Sequence, residues 1–131
     1  MSKIRVLLAD DHEMTLERVH LTLNGEFDVV GAVRNGKDAV TEVRRLDPDV
    51  LVMDIAMPVL SGLDAMAQLG SNLRTKVVFL TLYSDPDFIA AVFDAGASGY
   101  ILKSDLGTDL AHAIHEALEG RRYLSRSVRE N

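Results

Sequence analysis

Leu51-Val52-Met53-Asp54-Ile55-Ala56-Met57-Pro58-Val59-Leu60-Ser61-Gly62 is the stretch whose reading decides the fold. Its apolar run is short enough for a strand buried on both faces. It ends abruptly on one acid, Asp54, and then breaks at Pro58 and Gly62. In an open parallel sheet, ligands and chemistry sit just beyond the carboxyl ends of the strands. An aspartate there stands at the rim of the sheet with a rigid strand behind it. Taken alone, such an acid is equally a strand-ending residue that caps a turn, and the other strand ends decide between the two.

Working outward, Ile4-Arg5-Val6-Leu7-Leu8-Ala9 is a second buried-strand run, ending on Asp10-Asp11. Residues 27–33, 76–81 and 99–103 read as further strands. Between them lie helical patterns. Residues 12–24 carry Met14, Val19, Leu21 and Leu23 and stop at Gly25. Asn35-Gly36 opens a helix to Leu46 with Ala39, Val40, Val43 and Leu46 on one face. Residues 62–72 form the next. Asp85-Pro86 supplies an N-cap acid and a proline at the first helical position of a helix to Ala95. The last begins at Leu106 or Thr108 and runs to Glu119, with Leu110, Ala111, Ile114, Ala117 and Leu118 expected inward, and Gly120 closes it. Five strands alternating with five helices imply βαβ units, hence an α/β domain with a parallel sheet covered on both faces.

A chain of 131 residues is one domain by the length prior, and 47% hydrophobic residues suffice for a core. The net charge of −6 argues against nucleic-acid binding by this segment, because phosphate neutralisation needs a basic face. The absence of cysteine fits a reducing compartment. No apolar run approaches the ~20 residues needed to cross a bilayer, and the first residues lack a signal-peptide pattern. The expectation is a cytoplasmic domain with no membrane partner. Residues 121–131 carry a local charge of +3, leaving −9 for residues 1–120, and show no core-forming pattern. They read as the start of a linker.

Collected at one rim, the strand ends present Asp10 and Asp11, Asp54, Thr81 and Lys103. Carboxylates gathered together repel one another and favour a cation. Hard oxygen ligands with an incomplete shell suit Mg²⁺, which shares its sphere with water and phosphate oxygens. A carboxylate can act as a nucleophile toward phosphorus, and phosphoryl transfer needs mainly charge neutralisation, which Mg²⁺ and the Lys103 ammonium supply. Each residue has an ordinary role available: a cap for the acid pair, β-propensity for Thr81, a solvated end for Lys103. Those roles would have to coincide at four strand ends. His112 and His115, three apart on the last helix, lack a third metal ligand and read as a solvated face. His12 reads as a first-turn helix residue rather than a base.

The motifs Leu8-Ala9-Asp10-Asp11-His12, Met53-Asp54-Ile55-Ala56-Met57-Pro58 with Gly62, Leu80-Thr81, and Gly99-Tyr100-Ile101-Leu102-Lys103 resemble the receiver domain of two-component response regulators. Val29-Val30-Gly31-Ala32, Asn35-Gly36 and Asp94-Ala95-Gly96-Ala97-Ser98-Gly99-Tyr100 resemble its NarL/FixJ-type (LuxR-like) subfamily. The resemblance covers about residues 3–120 and implies a flavodoxin-like (βα)5 doubly wound fold, its five parallel strands ordered 2-1-3-4-5. It implies a signalling switch rather than an enzyme, with Asp54 as phosphoacceptor for a sensor histidine kinase. Asp11 and Asp54 would ligate Mg²⁺ directly, Asp10 through water, and the backbone carbonyl of Ala56 would complete the protein ligands. Thr81 and Lys103 would bind phosphoryl oxygens, with Thr81 and Tyr100 forming the switch. The helix of residues 85–95 is the element to be biased, and a homodimer is the expected readout. Residues 121–131 would begin a linker to a C-terminal helix-turn-helix domain that binds DNA and controls transcription.

Two departures from the family pattern stand out: Leu82 where a small residue is common, and Ser104 where many members have proline. Tyr83 and Ala56 occupy positions that tune dephosphorylation in the family. Three other readings compete. A phosphorylation-independent pseudo-receiver, acting as a protein-interaction module, has Leu82 as its support. A phosphatase of the haloacid dehalogenase type needs a second acid where Ala56 stands. A flavin-binding domain needs a Ser/Thr/Gly-rich loop after the first strand.

Overall fold

The structure, a computed structural model, describes residues 3–129. The chain alternates β1 (Ile4–Ala9), α1 (Glu13–Thr22), β2 (Phe27–Val33), α2 (Gly36–Leu46), β3 (Val50–Met53), α3 (Gly62–Leu69), β4 (Lys76–Thr81), α4 (Pro86–Asp94) and β5 (Gly99–Leu102). A single 3-10 turn, Lys103–Asp105, leads into α5 (Leu106–Leu118), and β6 (Tyr123–Leu124) and α6 (Arg126–Arg129) follow. All six strands are parallel, in the order β2-β1-β3-β4-β5-β6.

The central strands are apolar at nearly every position because the sheet is covered on both faces. Successive side chains alternate between two cores. Val6, Leu8, Val50, Val52, Val78 and Leu80 pack with Leu16 and Val19 of α1 and Leu110 and Ile114 of α5. Leu7, Ala9, Leu51, Met53, Val77 and Phe79 pack on the other face with residues of α2, α3 and α4. Each large side chain fully buried here contributes about 2 kcal/mol of transfer free energy.

Helix starts follow local chemistry. Asn35 Oδ1 accepts from the Asp38 amide, Ser61 Oγ from that of Asp64, and Asp85 from that of Asp87, with Pro86 beside it as expected. Gly62 is required by packing: a Cβ there would lie 2.3 Å from the Asp54 carbonyl oxygen. α3 can therefore begin directly against the end of β3, and the Gly62 amide donates to Ile55 O at 2.7 Å.

Register sets where the strand ends fall. Ala9 pairs with Met53, so Asp10 and Asp54 leave the sheet side by side; Thr81 pairs with Leu102, so Lys103 emerges beside the end of β4. The 2-1-3-4-5 order is as expected, but the sheet has a sixth strand. Tyr123–Leu124 pairs with β5, and residues 123–129, expected to lie outside the domain, pack against it. No helical or strand period announces a two-residue strand, so its docking is purely tertiary. On α5, Leu118, expected to face inward, is exposed, and Asp109 is fully buried. Asp109 tolerates burial because the Arg126 amide and the Thr108 hydroxyl donate to it, at 2.7 and 3.0 Å. No helix among the described residues is long and apolar enough to cross a membrane.

Candidate functional site

Beyond the carboxyl ends of β1 and β3, ligand atoms of Asp10, Asp11, His12 and Asp54 all lie within 4.8 Å of one another. Asp10 and Asp54 are buried at 4% exposure each, whereas Asp11 stands in solvent. Lys103, itself buried, reaches back from the end of β5: its Nζ is 3.0 Å from Asp10 Oδ2 and 3.2 Å from Asp54 Oδ2. One ammonium therefore faces two buried acids. Burial and the neighbouring Asp10 charge push the Asp54 carboxyl above the usual carboxylate range, and Lys103 offsets this only in part. The contact to Asp10 Oδ2 is ionic and off-angle for a hydrogen bond, so this buried oxygen lacks a hydrogen-bond donor. A hard cation fits such a site: three carboxylates converge, one oxygen is unsatisfied, and the charge is uncompensated.

The remaining expected residues fall around this centre. Ala56 is exposed just past Asp54 and its amide donates to Asp54 Oδ1 at 3.3 Å. Thr81 is fully buried, and its hydroxyl oxygen accepts from the Tyr83 amide at 3.2 Å. No hydrogen bond joins Thr81 to Asp54 among the described residues. Tyr100 is fully buried and its hydroxyl donates to the Tyr83 carbonyl. Burial, with a contribution from Asp85, pushes that phenol up to about 12, so it remains a donor at neutral pH. Thr81 and Tyr100 thus both hold the backbone of Tyr83, whose ring stacks on Phe88 of α4 at 5.4 Å. Leu82 is 69% exposed. The Lys103–Ser104 bond is trans.

The sequence reading left His12 out of the site. The Asp10 carboxylate accepts from the His12 amide at 2.8 Å, an Asx turn that folds the chain back. The imidazole is thereby brought within 3.1 Å of Asp10 and 3.2 Å of Lys103 Nζ. The adjacency Asp10-Asp11-His12 was the available signal, because an acid two residues before an amide is poised for that turn. His112 and His115 instead pair with Glu116 and Glu26 on the surface, as a solvated face does. Beneath the acids, the void bounded by Asp10, Asp54, Leu16 and Leu80 is about 10 Å³, roughly the room for one water. The rim, not a pocket below it, is available for chemistry.

Known proteins resemble this chain in sequence and fold. The chain is 38% identical over 125 residues to the transcriptional regulatory protein YvfU of Bacillus subtilis, covering 93% of this chain and 62% of that protein. It is 37% identical over 116 residues to the response regulator protein VraR of Staphylococcus saprophyticus, covering 86% of this chain and 56% of that one. The chain thus spans somewhat more than half the length of these relatives. Among solved structures, the signal receiver domain of a NarL response regulator from Mycobacterium tuberculosis superposes with a TM-score of 0.86 at 30% identity, covering 92% of this chain and all of that one. The response regulator receiver domain family matches residues 6–115. With that match spanning most of the chain and the acid rim built as described, the protein belongs to the response regulator receiver family.

Proposed function

We propose that Asp54 accepts a phosphoryl group from a sensor histidine kinase and that the resulting charge switches the β4–α4 and β5 region. The observation that carries this reading is the pairing of a single buried ammonium, Lys103, with two buried carboxylates at 3.0 and 3.2 Å. A site so short of positive charge favours a cation and disfavours an empty rim. Asp11, Asp54 and the Ala56 carbonyl would hold Mg²⁺, with Asp10 acting through water. The ion would neutralise charge on the phosphoryl oxygens when bound.

An Asp54 carboxylate oxygen attacks phosphorus as the donor's P–N bond breaks. The leaving imidazole nitrogen keeps the electron pair and takes a proton from solvent. Lys103 re-aims from the two carboxylates to a phosphoryl oxygen, and the 3-10 turn that it begins is drawn with it. The Thr81 hydroxyl exchanges its contact with the Tyr83 amide for a phosphoryl oxygen. Tyr83 is thereby freed on one side, while Tyr100 still holds its carbonyl, so α4 and its entry loop are biased.

By this reading the domain is a signalling switch that assists its own phosphorylation, as family members are. A homodimer is the expected readout. In the natural context, transcription would be regulated through a DNA-binding domain following residues 121–131; the relatives named as transcriptional regulatory proteins support this.

The test is intact-protein mass after incubation with acetyl phosphate, with and without Mg²⁺. A Mg²⁺-dependent gain of one phosphoryl group, about +80 Da, absent in Asp54→Asn, is expected. Labelling that persists in Asp54→Asn would sink the assignment.

A further inference from the structure

The segment after α5 binds β5, the strand that carries Tyr100 and leads directly into Lys103. Tyr123 N donates to Ser98 O at 2.9 Å and Ser125 N to Tyr100 O at 2.8 Å. The Leu102 amide, immediately before Lys103, donates to Ser125 Oγ at 3.1 Å. Ser125 is fully buried, and its hydroxyl donates to Asp105. Asp105 Oδ2 also accepts from the Ser127 amide at 3.1 Å and the Ser127 hydroxyl at 2.6 Å. Asp109 accepts from the Arg126 amide. Arg122 lies over the Phe93 ring at 5.4 Å, so the same segment touches the end of α4.

These bonds have a consequence for the rim. Lys103 and Asp105 are the two ends of one 3-10 turn. Lys103 is held by Asp10 and Asp54 on the rim side, and Asp105 by Ser125 and Ser127 on the tail side. A turn of three residues has no slack, so a displacement at one end is felt at the other.

We propose that β6–α6 is a strap whose docking on Asp105 and Asp109 is linked to the occupancy of the rim, and that a phosphoryl group on Asp54 loosens it. The inference rests on Asp54 being the phosphoacceptor. The strap's hydrogen bonds are complete in the geometry in which Lys103 pairs with the acids. When Lys103 re-aims at a phosphoryl oxygen, the turn shifts and three donors converging on one Asp105 oxygen lose their geometry together. The coupling is reciprocal: whatever factor the phosphoryl group takes from strap docking, strap docking takes from phosphoryl binding. The segment leaving the domain would therefore report the state of the rim directly, without passing through α4.

Hydrogen–deuterium exchange of the 131-residue chain in Mg²⁺, with and without beryllofluoride, tests this. Beryllofluoride should speed exchange of the amides in residues 123–129 by about five-fold or more, the lower end of typical allosteric coupling. In Asp105→Asn those amides should exchange fast already and respond no further, while β1 and β3 stay protected. The same variant should bind beryllofluoride more tightly by the same factor. Ser127→Ala, a milder change at the strap, should lie between the two. If peptides around Asp54 and Thr81 respond to beryllofluoride but residues 123–129 do not, or become more protected, the strap is wrong and the phosphoacceptor reading stands. If no peptide responds, the phosphoacceptor reading fails and the strap falls with it.

Discussion

Asp54 and Asp105 are carboxylates served from opposite ends of the Lys103–Asp105 turn, and their surroundings treat them oppositely. Asp54 is buried beside another acid, shares one ammonium with it, and its carboxyl is pushed up. Asp105 collects the Ser125 and Ser127 hydroxyls and the Ser127 amide on one oxygen, and its carboxyl is held below the usual range. The first site gives its charge one long amide contact and a shared ammonium, and leaves the neighbouring Asp10 Oδ2 without a hydrogen-bond donor, whereas the second surrounds its charge with donors. A functional rim must stay unsatisfied to attract a cation and a phosphoryl group, and the fold bears that cost. A docking site has no such duty and is fully satisfied.

Removing the shared cation breaks the contrast most severely. Lys103→Met leaves Asp10 and Asp54 buried and unpaired, with a loss of about 3 kcal/mol at neutral pH in urea unfolding without divalent ions. Millimolar Mg²⁺ should restore most of that loss. Unchanged stability would mean the two acids do not repel. On the strap side, Asp109→Ala takes a charged acceptor away from the Arg126 amide and the Thr108 hydroxyl, both part-buried contacts, at about 2 kcal/mol. Faster tryptic cleavage after Arg121, Arg122 and Arg126 should accompany it.

Asp54→Asn should do the reverse of both and stabilise the domain by about 1 kcal/mol, a few degrees in Tm, because it removes one of two facing charges. The smallest effect is in pH, with opposite signs. Asp105, depressed when folded, contributes stability that is full above its unfolded value near ~4 and is lost as pH falls through its lower folded value. Asp54, raised when folded, penalises the native state above its folded value, and that penalty is relieved as pH falls through it. In matched unfolding series, the advantage of Asp54→Asn over the parent should shrink as pH falls from neutral toward the unfolded value near ~4. The deficit of Asp105→Asn should persist to about pH 4 and fade below.

Much of the rim was legible because strand ends are local events. An apolar run that stops on a polar or charged residue, four times over, needs only the parallel topology to bring Asp10, Asp54, Thr81 and Lys103 to one edge, and the register of Ala9 with Met53 and Thr81 with Leu102 does so. His12 escaped because its position depends on an Asx turn. Tyr100 could not be told from an exposed ring until the Tyr83 carbonyl was seen to hold it.

By itself the sequence determined the alternation of strands and helices, the acid-bearing strand ends and the family. The first two follow from hydrophobic period, capping chemistry and punctuation by glycine and proline, all acting over a few residues, and the family follows from the resemblance of the motifs at those strand ends. Only the tertiary structure decided the sixth strand, the burial of Asp109 and the docking of Ser125 and Ser127 on Asp105. Those rest on hydrogen bonds between residues 17 to 25 positions apart, whose donors and acceptors look like ordinary surface residues until the chain folds back and excludes water from them.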